Sequence, residues 1–284
     1  MTTTTAALGT HPVTEGLTAL ATVLGRIAGV RTLWRGTATP AGDVARRWRG
    51  HGPVVVVGGV GTVAAGLTPL CDWLGSLGYD VTPHTAGIGT ACGARSTDAL
   101  LDTITRVDQG AGVHLVAHSR GGLFARAAVA AGAPARSLVT LGTPFDLRRL
   151  GLVGLVLGTF MSTAGTLGVP DVARFECLYG SCCAEFRRTV RAAVPVPFTS
   201  IHSRGDRVVP WRASVDAAAR NVTVEGGHLD LLDGPGPLAA VAEALAGASP
   251  RRHRGAGLRP QARHEARVPR QRGPVPDLAA AGSA

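Results

Sequence analysis

The sequence predicts an α/β domain: a mostly parallel central sheet with helices on both faces and an apolar lid or cap inserted in it. Three observations lead there. Strand-length apolar runs alternate with helix-length segments, the pattern made by parallel strands joined through right-handed crossovers. The run Pro53-Val54-Val55-Val56-Val57 is too short for a helix and has no polar face, as a strand covered on both sides requires. Finally, the run Val113-His114-Leu115-Val116-Ala117-His118 ends in Ser119 between small residues and leads into a helix-forming stretch, Leu123 to Ala131. Strand, tight turn and helix is the setting that lifts a serine hydroxyl above a sheet edge.

Taken in order, residues 1–50 form an N-terminal extension. Its first 15 residues read as disordered, and Leu17, Leu20, Leu24, Ile27 and Val30 recur at helical spacing within 17–33. The body spans 51–248. Its first strand runs into Gly58-Gly59-Val60-Gly61, followed by a helix over 64–77 and a second strand starting at Tyr79-Asp80-Val81. A glycine-rich loop then leads to Ser96, expected to cap a helix with Asp98 in its first turn and Leu100, Leu101, Ile104 and Val107 on its buried face. Beyond the serine turn, Arg136–Gly142, Pro197–His202 and Asn221–Glu225 read as strands, and Leu238–Leu245 as a helix. No internal repeat interrupts this order.

Two stretches break the rhythm. An insertion over about 146–192 contains 19 uncharged residues, 151–169, flanked by Arg148, Arg149 and Asp171. A bilayer needs about 20 apolar residues, yet this run holds five glycines and four Ser/Thr residues. A membrane span there would also cut the sheet off from its last two strands. The run is therefore read as a lid over the active site, with a buried helix pair and a membrane helix as the alternatives. The second stretch, 249–284, is rich in Arg and Pro and lacks the apolar residues to fold alone, so it reads as a disordered tail.

The formal net charge of +10 suggests nucleic acid at first sight. However, the tail carries eight arginines against Glu265 and Asp277, which leaves a mildly basic body. All 29 basic residues are Arg, a coding bias that weakens any single Arg as a phosphate contact. No nucleic-acid partner is expected. Cys71, Cys92, Cys177, Cys182 and Cys183 form no C-x-x-C pair and no four-ligand zinc spacing with His, so neither metal nor cofactor is expected. Cys177 with Cys182 or Cys183 has the spacing to close a small loop in an oxidising compartment; the preferred reading is reduced thiols. No basic segment precedes an early apolar run, and the expected location is cytoplasmic.

The candidate chemistry begins at Ser119. Ala117 and Gly121 stand two before and two after it, small enough for strand and helix backbones to pass closely. A serine hydroxyl needs a base, and the base needs a third group to fix its tautomer. Asp206 follows one predicted strand and His228 the next, so both emerge at the carboxyl edge of the sheet with Ser119, in the order Ser, acid, His. Asp230 is the alternative acid, while His118 and His202 lie within strands and read as scaffold. Oxyanion donors are expected from the backbone amides of Arg120, after the nucleophile, and Val60, in the glycine loop after the first strand. That loop fits neither a P-loop nor a G-x-G-x-x-G fingerprint.

At these residues the chain resembles the α/β-hydrolase superfamily, and within it the bacterial lipases and esterases. Ala117 to Gly122 match an A-H-S-x-G-G elbow, and Leu141-Gly142-Thr143-Pro144 is similar to the L-G-T-P segment after the next strand. Gly58-Gly59-Val60 lies where the family usually has His-Gly-x, with glycine in place of the histidine. The resemblance covers roughly 50–248. It implies an α/β-hydrolase fold and a serine carboxylic-ester hydrolase working through an acyl-enzyme, with Ser119, His228 and Asp206 as catalytic residues and no metal in the chemistry. It also implies a small-molecule or lipid ester as substrate, and peripheral contact with lipid surfaces is left open. A thioesterase or acyltransferase on the same residues, or a non-catalytic binding protein of this fold, are the alternatives.

Overall fold

The computed structural model describes residues 46–86 and 90–248. The expected helix over 17–33 and the tail over 249–284 lie outside the described residues. Within them the chain runs β1 (Pro53–Val57), α1 (Ala64–Ser76), β2 (Asp80–His84), α2 (Gly93–Val107), β3 (Val113–His118), α3 (Gly121–Ala130) and β4 (Ala135–Leu141). It continues with α4 (Gly151–Thr166), α5 (Phe175–Tyr179), α6 (Ala184–Thr189), β5 (Phe198–Ser203), α7 (Trp211–Ser214), β6 (Arg220–Val224) and α8 (Pro235–Ala248). The six strands form one sheet in the order β2-β1-β3-β4-β5-β6, and every neighbouring pair is parallel.

Strand periodicity explains why both faces are covered. Successive side chains of β1 point to opposite sides, so Val54 and Val56 enter one apolar layer with Leu67, Leu70 and Trp73 of α1 and Val241 and Leu245 of α8. Val55 and Val57 enter the other, with Leu100 and Ile104 of α2 and Phe124 and Ala128 of α3. Fully burying a valine contributes about 1.5–3 kcal/mol, and these four are buried to the last few ångströms of surface. The run of valines is thus an interior-strand sequence, as its place between β2 and β3, second from one edge, requires.

One element starts elsewhere than expected. Helix α2 begins at Gly93 with Cys92 preceding it, three residues before the position at which Ser96 was to cap it. The Ser96 N–H already bonds the Cys92 carbonyl at 2.9 Å, and its hydroxyl is buried in the packed face of the helix. A serine so placed cannot serve as a cap.

The segment between β4 and β5 carries a 3₁₀ turn (Leu147–Leu150), α4, α5, a second 3₁₀ turn (Ser181–Cys183) and α6. Helix α4 accounts for most of the uncharged 151–169 run, and among the described residues no helix is long and apolar enough to cross a membrane. The segment is tied to the body by Ala173 N–H to the Thr90 carbonyl (2.8 Å), Thr90 Oγ1 to the Asp171 carbonyl (3.1 Å) and the Phe186 ring against Phe124 (6.0 Å). Sequence spacing predicted no metal-type cluster, and the structure corrects this: Cys92 meets Cys177, Cys182 and Cys183, with all four sulfurs within 4.8 Å of one another. Cys92 lies far from the other three along the chain, so a motif rule based on spacing does not register it.

Candidate active site

At the end of β3 the backbone turns sharply: Ser119 has φ +54°, the left-handed region that non-glycine residues enter at a cost of about 1–3 kcal/mol. The surroundings hold it there. Ser119 N–H continues the ladder to the Leu141 carbonyl (2.8 Å), while its own carbonyl accepts the Thr143 hydroxyl (2.8 Å) and the Gly122 N–H (3.1 Å). Thr143 belongs to the Leu-Gly-Thr-Pro segment after β4, so that segment buttresses the turn. Two residues on, α3 comes so close to β1 that a Cβ on Gly121 would lie 2.6 Å from the Gly58 carbonyl oxygen. Only glycine fits.

Asp206 and His228 are brought together as expected. His228 Nδ1 and Asp206 Oδ2 are 2.6 Å apart, with side-chain exposures of 7% and 1%. The other carboxylate oxygen accepts the N–H groups of Val208 and Val209, both at 2.8 Å. An acceptor-only carboxylate facing Nδ1 places the imidazole proton on that nitrogen and leaves the Nε2 lone pair available as a base. The two loops are bound to each other through Ser203, whose hydroxyl donates to the Gly226 carbonyl (2.5 Å) and accepts the Gly205 N–H (3.0 Å).

Gly142 adopts φ +58° beneath this pair; a Cβ there would lie 3.1 Å from Asp206 Oδ2 and 3.2 Å from His228 Cε1. His118, the residue before Ser119, donates from Nε2 to the His228 carbonyl (3.0 Å), and the two rings are 4.6 Å apart. Ser119, Asp206 and His228 therefore share one edge of the sheet, at the carboxyl ends of β3, β5 and β6. Burial pushes the His118 imidazole down to about 3, helped by the nearby His228 and opposed by its bond to the His228 carbonyl. It stays neutral and acts as a fixed donor.

The remaining expected residues fall into place around that edge. Asp230 accepts the Gly227 N–H at 2.7 Å, tightening the turn before His228 rather than facing its ring nitrogen. His202 stacks on Trp211 (centroids 5.8 Å) and bonds Thr223 through Nε2 at 3.0 Å, a scaffold role. The loop after β1 runs past the serine: a Cβ on Gly59 would lie 3.2 Å from Ser119 Oγ. The Gly59 N–H itself goes to Thr62 Oγ1 (3.2 Å), and Val60 is exposed at the loop's tip. Arg120 directly follows the serine at the start of α3, and its guanidinium reaches the Ala91 carbonyl at 2.8 Å. Sequence reasoning passed over the roles of Thr143 and Ser203, although Thr143 stood in the matched Leu-Gly-Thr-Pro segment; His118 is the hydrogen-bonded scaffold residue that its place in the strand suggested.

No protein-family model matches the chain, and no curated protein matches it significantly. Solved structures do. One is a metagenome-derived lipolytic enzyme of the pair LipS and LipT, 17% identical with a TM-score of 0.52 over 70% of this chain and 94% of that one. Another is the monoacylglycerol lipase of Paleococcus ferrophilus, 16% identical with a TM-score of 0.51 over 70% of this chain and 97% of that one. At such identities the likeness is one of fold: the chain has the α/β-hydrolase fold, with a six-stranded parallel sheet and helices on both faces.

Proposed function

We propose that the chain is a serine carboxylic-ester hydrolase, lipase- or esterase-like, working through an acyl-enzyme on Ser119. The observation that carries this reading is the buried 2.6 Å pair of His228 Nδ1 and Asp206 Oδ2, set on the same sheet edge as a serine strained to φ +54°. Ser119 Oγ attacks the ester carbonyl while its proton passes to His228 Nε2, and Asp206 stabilises the imidazolium that forms. The amides of Arg120 and Val60 hold the developing oxyanion. As the tetrahedral species collapses, the alcohol leaves with the proton from His228. Water, deprotonated by the same imidazole, then releases the acid and restores the serine. No step requires a metal or an organic cofactor.

The substrate we assign is an ester with a hydrophobic acyl group, and the inserted segment between β4 and β5 is its cover. Support comes from the apolar side chains this segment leaves in solvent, notably Phe160, Leu167 and Tyr179 at 69%, 82% and 82% exposure. An acyl chain or lipid surface would cover such groups favourably, at roughly 25 cal/mol per Å².

Fluorophosphonate labelling of the full chain, together with hydrolysis of p-nitrophenyl esters of increasing chain length, tests the reading. Labelling is expected in the wild type and lost in Ser119→Ala. Folded protein that neither labels nor turns over an ester of any length refutes the proposal. Acyl-CoA cleaved faster than every ester moves the reading to a thioesterase.

A further inference from the structure

Four of the five cysteines converge at a place that the ester chemistry does not use. Cys92 immediately precedes α2, Cys177 lies in α5, and Cys182 and Cys183 form the 3₁₀ turn after it. The sulfur of Cys92 is 3.2 Å from that of Cys183, and Cys182 is 3.6 Å from Cys177 and 3.7 Å from Cys183. All four lie within 4.8 Å of one another, and all are free thiols. A tetrahedral ion with metal–sulfur bonds of about 2.3 Å sets its four sulfurs about 3.8 Å apart. Disulfide sulfurs stand about 2.05 Å apart and associate in twos. Four sulfurs gathered within 4.8 Å, none of them at bonding distance from another, resemble a coordination shell more than a pair of disulfides.

The surroundings suit four thiolates around a divalent cation, a unit of net charge −2. The positive end of the 15-residue helix α2 points at the cluster. There the backbone N–H groups of Ala94 and Arg95, in the first turn of α2, face the Cys92 sulfur. Burial pushes the Arg120 guanidinium, held on the Ala91 carbonyl, down, and the neighbouring Cys183, Cys92 and Cys177 oppose that shift, so a positive group faces the cluster. Arg187 donates to the carbonyls of Cys177 (3.1 Å) and Gly180 (2.6 Å), which fixes the loop that presents Cys177 and Cys182. Energetics point the same way. Between residues 158 and 192 only Val172 and Cys183 are buried apolar side chains, and a segment with so small a core needs a staple to hold one conformation.

We propose that Cys92, Cys177, Cys182 and Cys183 form a closed structural zinc site that fastens the inserted segment to the start of α2. On binding, four Zn–S bonds form, the thiol protons leave to solvent and no redox change occurs. With all four positions taken by protein, the ion has no vacancy for substrate and plays no part in ester cleavage.

The test is metal analysis of the full chain, purified under reducing conditions without chelators, by inductively coupled plasma mass spectrometry. One zinc per chain is expected, released stoichiometrically by an organomercurial. Cobalt replacement should give the intense visible bands of a tetrahedral tetrathiolate. Cys92→Ser and the exposed Cys182→Ser should each lose the metal at least tenfold, while Cys71→Ser, on α1, keeps it. Less than a tenth of an equivalent of zinc in reduced wild-type protein, even after incubation with zinc chloride, overturns the proposal. So does iron in its place, an intact mass lighter by the hydrogens of one or two disulfides, or equal metal loss in Cys71→Ser. The wild-type measurement does not depend on the variants folding, and none of these readouts involves ester turnover, so the zinc site and the hydrolase reading stand or fall separately.

Discussion

Replacing Asp206 by Asn offers the sharpest test of the geometry at the sheet edge, because each oxygen of this carboxylate has a different task. One accepts two backbone N–H groups, from Val208 and Val209, and the other accepts His228 Nδ1. An amide has one acceptor and one donor, so it must choose. If its oxygen keeps the two N–H groups, its NH2 faces Nδ1, and the imidazole proton is driven to Nε2, where the lone pair was needed. If it flips, the NH2 meets two N–H donors in a site only 1% exposed, and each buried unpaired group costs about 1–3 kcal/mol. The first arrangement wins, and the base is held in the wrong tautomer. That defect is worth about 10⁴ in kcat, or about 5.4 kcal/mol at 1.36 kcal/mol per tenfold. Initial rates on p-nitrophenyl butyrate and the second-order rate of fluorophosphonate labelling should both fall by this order, with the melting temperature nearly unchanged because the turn keeps its acceptor. Asp230→Asn, which still accepts the Gly227 N–H, should stay within tenfold of wild type. An Asp206→Asn protein within tenfold of wild type would sink the assignment of this carboxylate.

Three further outcomes follow from other parts of the structure. Gly121→Ala must force α3 away from the Gly58 and Val57 carbonyl oxygens, 2.6 and 2.9 Å from the new Cβ; overpacking of this kind costs about 1–3 kcal/mol or more, and urea unfolding with an unchanged midpoint contradicts it. Asp216→Ala strips the buried Arg126 guanidinium of its carboxylate partner and should cost about 3–5 kcal/mol, most of it recovered in an Arg126→Met/Asp216→Leu double variant; a single variant as stable as wild type contradicts this. His114 and His118 are both pushed down by burial, to about 4 and about 3. The unfolded chain therefore takes up protons on them first, so stability is complete above about pH 7 and is lost as pH falls from about 6.5 toward those values. Near pH 4.5 each histidine should account for about 2–3 kcal/mol of that loss, and a His114→Asn protein with the full wild-type pH slope would argue against it.

How legible each feature was depended on how much of its cause lies within a short stretch of chain. The valines of β1 announce a doubly covered strand because burial on both faces leaves no polar position, whereas the strand ending at Val224 lies at the sheet edge with Arg220, Asn221 and Thr223 exposed and was readable only as a short run in the alternation of strands and helices. Ser119, Asp206 and His228 were readable since each follows its own strand, and parallel strands deliver their following loops to one edge. The start of α2 was misjudged because Ser96 is a good cap by type, whereas its place in the buried face of the helix is decided by packing against α6 and its neighbours. Ser203 gave no signal at all: its value lies in a hydroxyl bridge to Gly226, on the far side of α7 and β6 in sequence.

The thiol cluster marks the limit of that logic and also shows what links the two halves of the molecule. Cys92 waits at the end of a loop from the first half of the sheet, and its three partners arrive in a segment inserted after β4. No local pattern contains all four, and only the crossover order of the sheet brings α2 beside that insertion. Arg120 sits at the junction. Its backbone is held by the strained turn at Ser119 and by the start of α3, while its side chain spans to the Ala91 carbonyl beside the cysteines. The residue that directly follows the nucleophile thus has its side chain beside the four cysteines.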